Sequence, residues 1–159
     1  MTVRIKVKLD LGAPRLPGAA GLAYAAGLFD GEGCVHIARQ KKPSARLGHI
    51  FRLVVSVAQN HLNTLIDFQI LTGMEGRIYG THRRGSSNRD TYSLTYDGKA
   101  AAALLETLLP FLGRKLDEAN VALRFQRECQ ITRHFGPKGC PVDVWRQRQR
   151  FYDKLRNLK

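Results

Sequence analysis

One face of a helix-forming segment carries only the two smallest side chains. In the stretch from Ala19 to Gly33, these positions recur every four residues: Ala19, Ala23, Gly27 and Gly31. Residues four apart lie on the same face of an α-helix, so they form one stripe. A stripe without bulk lets a second helix backbone approach closely. The sequence contains no second helix of this kind, so the stripe predicts pairing with another copy of itself in a two-fold homodimer.

The same segment ends in the acidic sequence D-G-E-G at residues 30–33. Close packing of two such helices brings both copies of Glu32 towards one axis, where two carboxylates repel each other unless a cation lies between them. Helix C-terminal carbonyls, including that of Gly31, also favour a cation. Oxygen ligands suit Mg²⁺, and the pattern indicates metal-assisted phosphodiester hydrolysis. A packed helix with a glycine stop and solvated acids is the alternative, and the spacing alone leaves both open.

The charge balance points to a polyanionic partner. The 159 residues include 26 Lys and Arg against 13 Asp and Glu, a formal net charge of +13. Such a surplus favours nucleic acid or an anionic membrane surface. No apolar run is long enough to cross a bilayer, and we expect no secretion signal and no membrane partner. The three cysteines are scattered without a CxxC pair, which argues against a disulfide framework or zinc ribbon and favours a reduced, intracellular setting.

Strand and helix patterns alternate along the chain. Strands are predicted at residues 33–41, 48–58, 77–81 and 91–96, and helices at 18–30, 61–72, 98–109, 114–134 and 141–157. Asn60 and Asp97 are predicted to cap helices, and Gly73 to end one. Strand pairs alternating with helices indicate an α+β protein with one mixed sheet. We expect a single domain over residues 1–159, in which residues 1–16 form a basic extended arm or edge strand and residues 138–159 hold a C-terminal helix.

Residues 25–33, A-A-G-L-F-D-G-E-G, resemble the nine-residue motif of the LAGLIDADG homing endonucleases at most positions. The order of strands and helices that follows also agrees, so the resemblance extends over residues 18–134. One copy of the motif is present, which is similar to the single-motif members that act as homodimers. The resemblance implies an αββαββα fold, whose four-stranded, saddle-shaped sheet lies in the major groove of DNA and whose motif helices form the dimer seam.

The resemblance also implies a site-specific homing endonuclease that makes metal-dependent double-strand breaks in a long, near-palindromic DNA target. In this family the last motif acid binds the metal, which makes Glu32 the ligand here, helped by the Gly31 carbonyl. Mg²⁺ is the expected ion, and Mn²⁺ or Ca²⁺ could occupy the same site. Asp30 is implied to have a structural role near the dimer seam.

Two further residues resemble the periphery of the family's catalytic site. Gln59 stands where single-motif members carry a polar residue that orders solvent. Lys115 matches a basic residue near the scissile phosphate, and it lies at a predicted helix start, where a cation is locally disfavoured. The alternative is that Asp117 and Glu118 in the same turn offset its charge. Asn63 stands where the family often has a basic residue, which is a departure from its pattern.

The predicted strands offer a polar face to DNA. Alternate residues that point away from the core carry donors and acceptors for base edges, and the hairpin tips carry cations for phosphates. The outward residues are His36, Ala38, Gln40, Arg52, Ser56, Arg77, Tyr79, Thr81, Thr91 and Ser93, and the tip residues are Lys41, Lys42, Arg46, Arg83 and Arg84. A solvated sheet face is the alternative. Strands of about ten residues span about 33 Å, which is roughly ten base pairs per subunit.

Two other functions stay open at this stage. A protein of the same fold can serve as an intron RNA maturase or as a DNA-binding regulator without cutting. The second alternative is a generic basic nucleic-acid-binding module whose resemblance to the motif is accidental. Retention of an acid at Glu32 favours the nuclease, and intron homing is then the expected context, in whichever compartment holds the host DNA.

Overall fold

The computed structural model describes residues 2–6, 18–81, 90–129, 135 and 139–159. The strands within these residues are β1 (Thr2–Ile5), β2 (Gly33–Lys41), β3 (His49–Gln59), β4 (Arg77–Thr81) and β5 (Thr91–Asp97). The helices are α1 (Ala19–Glu32), α2 (Leu62–Thr72), α3 (Gly98–Leu108), α4 (Leu116–Cys129) and α5 (Val142–Asn157), with a 3₁₀ turn at Leu109–Phe111. None of these helices is both long enough and apolar enough to cross a membrane.

The strands form one sheet in the order β1-β4-β5-β3-β2, and all neighbours are antiparallel. The predicted α+β class is confirmed, but the sheet is antiparallel instead of mixed and has five strands instead of four. After α2 the chain leaves the position next to β3 vacant and forms β4 one strand further out. Strand β5 then returns to that position and pairs with β3 in the antiparallel direction. In addition, β1 pairs with β4, with Ile5 opposite Ile78. Residues 2–5 thus form an edge strand, and residues 1 and 7–16 of the expected arm or edge strand lie outside the described residues.

The core lies between one face of the sheet and the helices. Strict alternation in β3 directs every second side chain from Phe51 to Val57 into this layer, where all are buried. From α1, Ala26 and Phe29 are fully buried against it, as their place away from the small-residue stripe indicates. Burial of a side chain as large as that of Phe29 contributes about 1.5–3 kcal/mol. The described helices therefore lie on one side of the sheet, and no described element covers the opposite face.

The helix ends differ from the sequence predictions at several positions. Gly73 ends α2 in the left-handed conformation, with φ of 67°, as predicted. The N-cap of α2 is His61 instead of Asn60, and no side chain caps the helix. Asp97 occupies the N-cap position of α3 but makes no capping hydrogen bond, because arginines on the sheet engage its carboxylate. Helix α4 begins at Leu116, and residues 130–134 of its predicted range lie outside the described part of the chain.

Helix α5 packs along α4 and beside β2. Trp145 and Tyr152 meet Phe51 edge-on, with ring centroids 5.7 and 6.2 Å away. Phe151 meets Phe125 of α4 in the same manner at 6.0 Å. These aromatic contacts fix the helix on the core. They direct its C-terminal residues towards the end of the sheet where α1 passes into β2.

Candidate nucleic-acid interface and cleavage site

The small-residue face of α1 is open in the single chain. All four residues of the stripe are exposed: Ala19, Ala23, Gly27 and Gly31. Among the described residues, nothing lies within 4 Å of a Cβ atom added at Gly27 or Gly31. Beside this face, the aromatic side chain of Tyr24 is 59% exposed. Packing within the protomer therefore does not explain why these glycines are present.

Helix α1 continues through the acidic motif and ends at Glu32. The Glu32 side chain is exposed and has no hydrogen-bond or ion-pair partner among the described residues. The next residue, Gly33, already belongs to β2. A Cβ atom there would lie 2.4 Å from the carbonyl oxygen of Phe29, so only glycine permits this direct passage from helix to strand. The passage leaves the Glu32 carboxylate at the end of the sheet.

The first motif acid holds together two parts of the chain that are distant in sequence. The Asp30 carboxylate accepts hydrogen bonds from the backbone N–H groups of Gly113 at 2.8 Å, Arg114 at 3.2 Å and Lys115 at 2.9 Å. These residues immediately precede α4, so Asp30 positions the start of that helix. The sequence indicated a structural role but not this partner, because no local pattern links residue 30 to residues 113–115. Its predicted place at a dimer seam stays a prediction.

Lys115 lies at a pocket beside the motif. The side chain is only 7% exposed, and among the described residues no acceptor is bonded to its ammonium group. The pocket measures about 330 Å³ and is lined by Gly33, Cys34, Arg114, Lys115, Glu118, Leu158 and Lys159. Sequence reasoning missed Lys159, because its proximity depends on how α5 docks.

The thiol in this pocket differs from the other two. Cys34 Sγ lies 3.8 Å from His36 Nδ1 and accepts a hydrogen bond from Lys159 Nζ at 3.2 Å. The hydrogen bond with His36 lowers the pKa of the Cys34 thiol to about 7, against the effect of burial and with a further contribution from Lys159. Burial raises the pKa of Cys129 to about 11. Within the described residues, no three His, Cys, Asp or Glu side chains are grouped as a metal site.

Gln59 lies at the same end of the fold as the acidic motif. It is the last residue of β3, and the register pairs Gly33 with Val57. Gln59 is thus two residues beyond the point where α1 enters the sheet. Since Asp30 binds the backbone of Lys115, the three predicted catalytic positions, Glu32, Gln59 and Lys115, share one end of the protomer. Asn63 is exposed on the first turn of α2.

The face of the sheet opposite the helices carries the predicted outward residues. On β2 and β3 the buried residues alternate with partly or fully exposed ones, which confirms the predicted alternation. The register aligns Ser56 with Thr95 and Thr95 with Arg77 in one row, and Ser93 with Tyr79 in the next. The polar side chains therefore form a continuous surface across the strands. Their contact with DNA stays a prediction.

An ion-pair cluster on this surface was not predicted. The Asp97 carboxylate accepts a hydrogen bond from Arg52 at 3.2 Å and another from Arg77. The three residues come from β5, β3 and β4. The cluster neutralises an acid on an otherwise basic surface and restricts two guanidinium groups to one geometry.

The β2–β3 hairpin carries exposed cations at its tip. Lys41, Lys42 and Arg46 are all exposed there, next to Gln40. The other predicted tip residues, Arg83 and Arg84, lie outside the described residues. The described tip has the side-chain chemistry that phosphate contacts require.

Solved structures share this fold, although no protein-family model and no curated protein matches the chain. The homing endonuclease I-CvuI, in complex with its target in the presence of Ca, has a TM-score of 0.70 and 22% identity over 88% of this chain and 82% of that chain. The archaeal intron-encoded homing endonuclease I-Vdi141I, complexed with DNA, has a TM-score of 0.69 and 17% identity, covering 87% and 83%. The LAGLIDADG homing endonuclease I-GzeII has a TM-score of 0.64 and 12% identity, covering 82% of this chain and 43% of its own.

The chain therefore has the fold of the LAGLIDADG homing endonucleases, and the resemblance drawn from residues 25–33 is confirmed at the level of fold. A single motif in a chain that spans 82% of I-CvuI fits the single-motif type.

Proposed function

We propose that this protein is a homodimeric, site-specific DNA endonuclease of the homing type, which makes double-strand breaks in a long, near-palindromic target with the help of Mg²⁺. One observation carries the proposal. The small-residue face of α1, open in the single chain, leads directly to the exposed carboxylate of Glu32 beside the pocket that contains Lys115. The described structures of I-CvuI and I-Vdi141I, which have this fold, were determined with DNA bound.

The dimer seam follows from the α1 face. Two α1 helices can approach at their alanines and glycines until their backbones nearly touch, which large side chains would prevent. Exposed Tyr24 adds apolar area beside the contact. A two-fold axis through this seam relates the two copies of Glu32, so each protomer contributes one carboxylate to a shared site.

The residues at the end of α1 fit a hard divalent cation. Glu32 offers a carboxylate with no other partner among the described residues, and the helix C-terminal carbonyls, including that of Gly31, contribute further oxygens. Carboxylate and carbonyl oxygens are the ligands that Mg²⁺ takes, and Mn²⁺ or Ca²⁺ can use them too. When bound, the ion would activate water and neutralise charge on the phosphate.

The neighbouring side chains supply the remaining chemistry. The Lys115 ammonium, held at the start of α4 through Asp30, would stabilise negative charge that develops on the phosphate. Gln59, at the end of β3, would orient solvent near the reacting phosphodiester. Neither residue forms a competing side-chain hydrogen bond among the described residues.

The open sheet face would read the target. Strands β2 and β3 have 9 and 11 residues, and strands of that size span about 30–36 Å, roughly ten base pairs of duplex. Two protomers related by a two-fold axis would read about twenty base pairs of nearly palindromic sequence. The net charge of +13 favours the DNA backbone and makes affinity steeply salt-dependent. The protein would act in whichever compartment holds the host DNA.

A cleavage assay on a defined duplex tests the proposal. The probe is a fragment that joins the genomic sequences flanking the gene, so that it restores the uninterrupted insertion site. We expect double-strand cuts with Mg²⁺, none with EDTA, and binding without cutting for Glu32→Gln. Metal-independent binding to intron RNA with no DNA cleavage would instead establish a maturase, and stable binding without any cleavage would establish a regulator.

A further inference from the structure

The sheet contains one strand more than the four that the family resemblance implies. Strand β1 pairs with β4 at the sheet edge, from Thr2 opposite Thr81 to Ile5 opposite Ile78. Strand β4 is suited to receive it, because a Cβ atom added at Gly80 would lie only 3.0 Å from Ile5 Cδ1. The missing side chain at Gly80 thus leaves the space that Ile5 occupies, and the extra strand is packed as part of the sheet.

The register places two β1 side chains on the open face of the sheet. Arg4 lies opposite Tyr79, which in turn lies opposite Ser93 on β5, so three strands contribute to one polar row. In the next row Thr2 lies opposite Thr81, and their hydroxyl oxygens are 3.4 Å apart. Strand β1 therefore widens the polar surface by one strand and adds a cation to it.

The guanidinium group of Arg4 is free, unlike those of the other two arginines on this face of the described strands. Arg52 and Arg77 both donate hydrogen bonds to the Asp97 carboxylate. Arg4 is exposed and has no hydrogen-bond or ion-pair partner among the described residues. Asp97 and Glu75 line the same recess of about 280 Å³ as Arg4, but neither acid pairs with it. All five N–H donors of Arg4 are thus available to a ligand.

The position of this free guanidinium group favours a base over a phosphate. Cations that bind the DNA backbone are expected at the hairpin tips, where Lys41 and Lys42 lie. Arg4 instead shares a row with Tyr79 and Ser93 on the face that would enter the groove. Guanine presents two acceptors there, O6 and N7, which match the paired donors of an arginine.

We propose that β1 is a fifth DNA-reading strand, and that Arg4 determines specificity by binding one guanine base in each half of the target. The inference rests on the proposed function for its DNA substrate. It extends that function by assigning a recognition role to a strand that the motif resemblance does not include. Each protomer of the dimer would contribute one such contact, so the two guanines are related by the two-fold axis.

Selection of bound sequences tests the proposal without requiring cleavage or a known target. The protein is incubated in Ca²⁺ with a library of DNA duplexes whose central segment is randomised, and the bound duplexes are amplified and sequenced. The variants are Arg4→Ala and Ile5→Ser, which keeps the arginine but weakens the packing of β1. Arg150→Ala, at an exposed arginine of α5, is the matched control for loss of one positive charge. Affinity for a duplex of random sequence is measured over a series of salt concentrations, together with the thermal midpoint.

We expect the wild type to select a motif with guanine at one position in each half. Arg4→Ala should lower the preference for guanine at that position about ten-fold, the size of one lost bidentate contact, and leave the rest of the motif unchanged. Ile5→Ser should lose the preference at the same position, because Arg4 is then no longer held in its row. Arg150→Ala should select the wild-type motif, and the thermal midpoint of Arg4→Ala should equal that of the wild type.

An Arg4→Ala protein that selects the wild-type motif would overturn the proposal. So would a smaller salt slope and a uniform loss of affinity in that variant, since these mark a phosphate contact. If the wild type selects a motif but never cuts it in Mg²⁺, the proposed nuclease function fails while the role of Arg4 stands. If it cuts a restored insertion site and Arg4→Ala selects the same motif, only the role of Arg4 fails.

Discussion

The Asp30 carboxylate accepts a hydrogen bond from the backbone N–H of Lys115 at 2.9 Å, across 85 residues of sequence. This bond joins the last turn of α1, the helix with the small-residue face, to the residue that immediately precedes α4. In the proposed enzyme, the geometry of the metal ligand Glu32 and that of Lys115 are therefore coupled through one side chain. We therefore expect a substitution at Asp30 to slow catalysis, although the Asp30 side chain itself does not contact the substrate.

Asp30→Asn should separate binding from cleavage. An amide oxygen can replace part of the carboxylate, but at least one of the three backbone N–H groups loses its acceptor, at a cost of about 1–3 kcal/mol in stability. We expect a lower thermal midpoint, nearly unchanged DNA affinity and a cleavage rate reduced by more than ten-fold. Glu106→Gln, at an exposed position on α3, is the control. Wild-type cleavage by a destabilised Asp30→Asn protein would show that Lys115 does not depend on this contact.

Gly31 and Gly33 should respond in opposite ways to alanine. At Gly31 a Cβ atom has free space within the protomer, and alanine in a helix is more favourable by about 1 kcal/mol. At Gly33 the Cβ atom would lie 2.4 Å from the Phe29 carbonyl oxygen, so the helix-to-strand junction would have to shift, at about 1–3 kcal/mol. Chemical denaturation of both variants in the Gly27→Leu background, where the α1 seam that includes Gly31 is not expected to form, measures the difference. Equal stability of the two would contradict this reading of the junction.

Gly27→Leu should dissociate the dimer and leave the protomer folded. A Cβ atom at this position meets nothing within 4 Å among the described residues, but a leucine side chain would separate two closely packed α1 helices. We expect sedimentation to show a monomer with native circular dichroism, and double-strand cleavage to be lost. Lys99→Leu, on the exposed start of α3, controls for added surface hydrophobicity. A Gly27→Leu protein that stays dimeric and active would exclude this seam.

Releasing Arg52 and Arg77 from Asp97 should change DNA discrimination more than stability. The ion pairs are partly exposed, and such pairs contribute about 0–1 kcal/mol. Asp97→Asn should therefore leave the thermal midpoint within a few degrees of wild type. It should raise affinity for random duplex relative to the target, because an acid leaves the binding face and two guanidinium groups gain freedom. Unchanged discrimination would show that this cluster does not lie on DNA.

Cys34 should be the most reactive of the three cysteines near neutral pH. Its pKa of about 7 leaves a substantial thiolate fraction at pH 7.5, whereas Cys129, with a pKa of about 11, stays protonated. Burial also raises the pKa of Cys140. Iodoacetamide labelling followed by peptide mass spectrometry should modify Cys34 first, with a rate that rises through pH 7. Faster modification of Cys129 or Cys140 would contradict the assigned environments.

The sequence allowed a close prediction of the parts of the fold that depend on local pattern. The bounds of β2 and β4 match the alternation of apolar and polar residues, and the small-residue stripe of α1 is exposed as its spacing indicates. Pairings between strands that are distant in the sequence could not be predicted. Pairing of β1 with β4, which turns four strands into five, depends on which sheet edge is free.

In the candidate site, too, residues in short motifs could be predicted, whereas contacts between distant segments could not. The motif located Glu32 and suggested Lys115, because both are read from short stretches of sequence. It could not show that the Asp30 carboxylate accepts hydrogen bonds from the backbone before α4. Nor could it show that the Asp97 carboxylate pairs with two arginines instead of capping a helix. The approach of Lys159 to Cys34 depends on how α5 docks, across 125 residues. Each of these contacts joins residues that only tertiary packing brings together.

The most direct test of the central claim is a crystal structure of the protein with its cognate duplex in Ca²⁺, which occupies oxygen sites like that of Mg²⁺. We expect two protomers on one duplex, paired through α1, with Glu32 from each contributing to bound metal at the symmetry axis. A single protomer on the duplex, or two Glu32 carboxylates too far apart to share a metal centre, would contradict the account.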